Sequence, residues 1–115
     1  MLFTTFKIGD KEYKLRLTTG AMIELEGKLG KNPLTLIADV SAKNVLPKMS
    51  EAMLILHYAM IKFQPKQSLK DTYSLYDDYV DAGNTYGDLI CVLVDALSVS
   101  GYFRKKEQGA DTEKN

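Results

Sequence analysis

The feature that most constrains this chain is a change of hydrophobic period near residue 18. Before it, Leu2, Thr4, Phe6 and Ile8 alternate with other residues, Gly9-Asp10 interrupts, and Tyr13, Leu15 and Leu17 resume the alternation. A period of two on both sides of a glycine-containing pair predicts a β-hairpin over residues 1–17. With Gly9 and Asp10 in the turn, Phe6 opposes Tyr13, Lys7 opposes Glu12 and Leu2 opposes Leu17, while Glu12, Lys14 and Arg16 face water. Two strands alone are marginal in water, so the apolar face of the hairpin needs helices to lie on.

Residues 18–103 supply them. Met22, Leu25 and Leu29 recur at helical spacing from Thr18 onward, and Gly30 is suited to a left-handed stop. Asn32-Pro33 predicts an N-cap and first helical position for a brief second helix, with Leu34, Ile37 and Ala38 inward and an end at the polar run Ser41–Asn44. Pro47 opens a third, to about Phe63, apolar on nearly every side, and Gln64-Pro65 breaks it. Ser68 with Asp71 and Thr85 with Asp88 have capping-box spacing and start a fourth helix to about Ala82 and a fifth, again nearly all apolar, to Gly101. The predicted class is α+β, mainly α: an N-terminal hairpin packed on a bundle of about five helices, one domain over residues 1–103. Residues 104–115 are polar, charged and aperiodic, and are expected to form a flexible tail.

Charge narrows the function. Fifteen Lys and Arg balance fifteen Asp and Glu, whereas a nucleic-acid binder needs surplus cations to displace counterions from phosphates. A DNA-binding regulator is disfavoured. One cysteine, Cys91, cannot staple the fold, which fits a reducing compartment. Neither a secretory leader nor a bilayer-length apolar run is expected.

Candidate chemistry is sparse. His57 and Cys91 are the thiol-and-base pair the chain offers, each within an apolar helix and without an evident orienting carboxylate, so both are expected to pack as core residues. Two such ligands are too few for zinc. Neither a cofactor nor an enzymatic activity is expected. The acids Asp77, Asp78 and Asp81 gather at the end of the fourth helix, where the helix dipole prefers cations; they are read as a solvated face or, alternatively, as candidates to attract a basic partner or a divalent cation. Tyr79 is a candidate interface residue, while Leu69, Tyr73, Tyr76 and Val80 are read as the inward stripe. Met49, Met53 and Met60 suit either core filling or an adaptable binding surface and complete the candidate set.

The order of elements carries a resemblance. The segment from Tyr13 to Leu34, through Leu17, Thr18, Gly20, Ala21, Leu25, Glu26, Leu29 and Gly30, resembles the opening of the small tail assembly chaperones of long-tailed phages and prophages, and of related gene-transfer-agent tail proteins. Asp88 to Phe103, with its terminal glycine and aromatic pair, is similar to that family's closing helix. The resemblance implies a non-enzymatic role in the host bacterial cytoplasm: binding the tape-measure protein, with recruitment of tail-tube subunits, and absence from the mature virion. It also implies a longer frameshifted product, for which Lys105-Lys106 marks a place where a slippery codon run would lie. The alternative is a minor structural virion protein, a tail-completion or connector subunit. Self-association or client binding is expected, because two nearly all-apolar helices carry more apolar surface than a small monomer covers.

Overall fold

A computed structural model describes residues 2–104; apart from Arg104, the expected tail and the Lys105-Lys106 pair lie outside the described residues. In chain order the elements are β1 (Thr4–Ile8), β2 (Lys11–Leu15), α1 (Thr19–Leu29), α2 (Pro33–Lys43), α3 (Met49–Met60), α4 (Leu69–Asp81) and α5 (Tyr86–Val99). The fold is α+β and mainly α.

The two strands pair antiparallel with Phe6 opposite Tyr13 and Lys7 opposite Glu12. Gly9 takes a φ of 59°, the left-handed value that a two-residue hairpin turn demands of its first position. The ladder stops at Thr4 and Leu15, so the expected Leu2–Leu17 pair does not form: Leu2 is exposed and Leu17 turns inward. Arg16 is half-buried rather than solvated, because its backbone N–H donates to the carbonyl of Ala59 at 2.8 Å and holds the strand end against α3.

Helix starts follow side-chain caps. Thr18, Asn32, Ser68 and Thr85 each accept a backbone N–H of the first turn, and Asp71 and Asp88 return the bond to the cap residues. Gly30 ends α1 in the left-handed conformation at a φ of 73°. Two boundaries differ from expectation. Ser41 and Ala42 do not interrupt α2, which runs on to Lys43 and stops at a left-handed Asn44. Pro47 does not open α3: Lys48 is the N-cap, its N–H satisfied by Glu51 Oε1 at 2.8 Å, and the helix closes at Met60 rather than Phe63.

One apolar cluster joins the hairpin to the helices. Phe6, Leu15 and Leu17 are fully buried against Leu25 of α1, Ile55, Leu56 and Met60 of α3, and Leu89, Leu93 and Leu97 of α5. Burying each such side chain is worth about 1.5–3 kcal/mol, which is how a two-stranded ribbon becomes stable here. The expected apolar excess of α3 and α5 is mostly absorbed by this core. Met49 is the one large apolar side chain of α3 left exposed, and the other large exposed apolar residues, among them Val45, Leu46, Tyr73 and Val80, lie outside both helices.

Candidate functional site

The first turn of α3 and the outer flank of α4 leave a groove of about 420 Å³ between them, lined by Met49, Ser50, Met53, Tyr73, Tyr76 and Asp77. Its depth follows from burial: Met53 is 3% exposed and forms the floor with half-buried Tyr76, whereas Met49 and Tyr73, 46% and 45% exposed, stand as walls. Asp77 brings one carboxylate to the rim. Two thioethers and two phenol rings with one acid make an adaptable apolar surface.

The floor is fixed by an aromatic series. Tyr76 packs edge-on to Tyr86 at 6.5 Å and tilted on Tyr79 at 6.2 Å, and Tyr79 meets Phe6 of the hairpin at 4.8 Å. Tyr86 donates its hydroxyl to the carbonyl of Pro47 at 2.6 Å, tying the approach to α3 onto α5. Burial raises the Tyr79 and Tyr86 phenols above their ordinary value, so both stay protonated donors. At the same end of α3, the carboxylate of Glu51 holds Lys31 at 3.2 Å. Its pKa is lowered, first by the Lys48 backbone N–H and then by Lys31, against the cost of its burial.

The sequence candidates divide. Met49, Met53 and Asp77 come together in the groove. Asp78 and Asp81 are exposed on the outer side of α4. Tyr79 is corrected: at 4% exposure it is a core residue with no surface to offer. Met60 is corrected likewise, fully buried at the far end of α3 with Sδ accepting from Gln67 Nε2 at 3.2 Å. Tyr73 and Val80, expected inward, are exposed instead.

These errors share one cause. The buried stripe of α4 is Thr72, Leu75, Tyr76 and Tyr79, which shares Tyr76 with the expected Leu69, Tyr73, Tyr76 and Val80 but is centred roughly 80° away about the helix axis. A threonine in the stripe hid it, because the buried hydroxyl relies largely on partners outside the helix: Gln67 Nε2 donates to it at 2.8 Å and His57 Nδ1 lies at 2.9 Å.

His57 is therefore half-buried and bonded to Thr72, and burial alone lowers its pKa. Cys91, expected in the core, is exposed, because the buried side of α5 runs through Leu89, Ile90, Leu93, Ala96 and Leu97 and leaves residue 91 on the opposite side. Among the described residues no group of three or more His, Cys, Asp or Glu is placed to hold a metal ion, and no helix is long and apolar enough to cross a membrane. A larger cleft, about 610 Å³, follows the α3–α4 turn, where Gln64, Lys66, Gln67, Asp71 and Ser74 stand beside Tyr13, Pro65 and Leu75.

Compared with known proteins, residues 2–115 match the model of DUF6096, a family of unknown function. No curated protein matches the chain, and no solved structure does.

Proposed function

The chain belongs to this family of unknown function, and we propose that it is a non-enzymatic tail assembly chaperone that holds a helical segment of a tape-measure protein in the α3–α4 groove. The observation that carries the reading is the groove itself: Met49 and Tyr73 stand exposed over Met53 and Tyr76. An amphipathic helix lays apolar residues at i, i+3, i+4 and i+7 into such a groove, and methionine adapts to varied side chains. Val45 and Leu46 on the approach to α3 and Val80 on α4 are exposed as well and add to the apolar surface these elements offer a partner. The similarity of Tyr13–Leu34 and Asp88–Phe103 to tail assembly chaperones supplies the client. In this reading the protein acts in the host bacterial cytoplasm, passes the tape-measure protein to tail-tube subunits, and leaves before the virion is complete.

Co-expression of the tagged chain with the tape-measure and tail-tube proteins of its own genome tests this. A tape-measure protein that stays soluble and co-purifies supports the proposal. A tape-measure protein that neither binds nor changes in solubility rejects it, and recovery of the chain in purified particles would favour the structural-subunit alternative.

A further inference from the structure

The outward face of α4 is sorted by charge along its length. Lys70 stands in the first turn, Ser74 in the middle, and Asp77 and Asp81 toward the end, all within about 40° of one line down the exposed side of the helix. No cation occupies the last turn, where the dipole favours one. Lys7–Glu12, Lys31–Glu51 and Lys43–Asp39 are ion pairs among the described residues, and none of them engages Lys70, Asp77 or Asp81. Tyr73 and Val80, 45% and 44% exposed, flank the line on the groove side.

We propose that this face pairs with the same face of a second copy, α4 antiparallel to α4 about a two-fold axis. Reversing the helix is what its charge order fits. With the axis between Leu75 and Tyr76, Lys70 comes level with Asp81 of the second copy and Ser74 level with Asp77 of the second copy, so an ammonium and a hydroxyl each oppose a carboxylate, twice over by symmetry. Tyr73 falls about two residues, roughly 3 Å, from the level of Val80 of the second copy and shares its side, giving the contact an apolar margin. The antiparallel arrangement also sets the end of each helix dipole beside the start of the other. A parallel pair would stack acid on acid.

A two-fold axis perpendicular to both helices keeps a feature on the side where it began. Both Met49–Tyr73 grooves therefore open on the same side of the dimer, forming a longer apolar surface than either copy has alone. Dimerisation itself is independent of any client, so it stands or falls separately from the chaperone reading.

Sedimentation equilibrium of the full chain over a wide concentration range tests it. A reversible monomer–dimer equilibrium that weakens with salt is expected. Lys70→Glu and Asp81→Lys should each raise the dimer Kd at least about tenfold, because each replaces two opposite-charge contacts by two like-charge ones. The double variant, which swaps the charges, should return the Kd to near the wild-type value. Both substitutions are on the surface and agree with the helix dipole, so circular dichroism should stay unchanged. A chain that is monomeric throughout, a dimer indifferent to both single reversals, or a double variant no better than the singles would overturn the proposal.

Discussion

The Thr72 hydroxyl, wholly buried on α4, lies 2.9 Å from Nδ1 of His57 on α3. It also accepts from Gln67 Nε2 at 2.8 Å and reaches the Ser68 carbonyl at 3.3 Å, so one oxygen joins the middle of α3, the α3–α4 turn and the first turn of α4. The contact belongs to the same rotation of α4 that puts Tyr73 and Tyr76 in the groove. Thr72→Val keeps the shape and removes the oxygen. It should cost about 1–3 kcal/mol in urea unfolding, since Gln67 and His57 lose a partner in partly buried surroundings. An unchanged midpoint would mean that apolar packing alone sets the helix rotation.

Acidification tests the same contact from the other side. Burial holds the His57 imidazole below its ordinary value of 6.5, so the folded state takes up its proton less readily than the unfolded chain. The sign follows: the stability tied to neutral His57 is complete above pH 6.5 and is lost as pH falls from there to the lower folded value. Glu51 and Asp71, held below 4.5 and 3.8 first by the backbone N–H groups of Lys48 and Ser68, lose their contributions in the same direction but in a lower window. Because the chain has one histidine, its imidazole resonance titrates alone in an NMR spectrum. The midpoint should lie below 6.5, and a His57→Gln variant should lose the upper part of the acid-induced decline in stability.

The tyrosines of α4 separate stability from binding. Tyr79, packed on Phe6 at 4.8 Å and almost fully buried, should cost about 3–5 kcal/mol when replaced by alanine. Tyr73→Ala, at an exposed position, should stay within about 0.5 kcal/mol of wild type. Thermal unfolding of the two variants reads both. Equal costs would contradict the placement of the buried stripe.

The hairpin is anchored at its far end by a residue 83 positions away. Ser100 Oγ accepts the Leu17 N–H at 2.9 Å and donates to the Ala96 carbonyl at 2.7 Å, all in the interior. Ser100→Ala leaves that amide buried and unpaired, which should cost about 1–3 kcal/mol. Native-state hydrogen exchange should show faster exchange at Leu17, with the tip of the hairpin little affected.

Local chemistry explains what was legible in advance. Phe6 opposite Tyr13, the caps at Asn32, Ser68 and Thr85, and the stop at Gly30 all depend on residues a few positions apart, so spacing suffices to find them. What spacing missed depends on distant partners. Tyr79 is inside because Phe6 waits for it across the fold, and Thr72 is inside because Gln67 and His57 satisfy it. Periodicity saw Leu69, Tyr73, Tyr76 and Val80 as the better apolar stripe, and a polar residue that is paid for elsewhere does not announce itself. The groove is legible in part, through Met49, Met53 and Asp77, but helical spacing places its second wall, Tyr73, in the inward stripe.

In the proposed function, client capture rests on the α3–α4 groove. The most direct measurement is co-purification of the tape-measure protein with the wild-type chain and with a Met49→Ser/Tyr73→Ser variant, both of whose changes are at exposed positions. The variant should fold with unchanged helical content and keep less than about a tenth of the captured client, as loss of two central anchors should do. Capture by the variant equal to that of the wild type would contradict it.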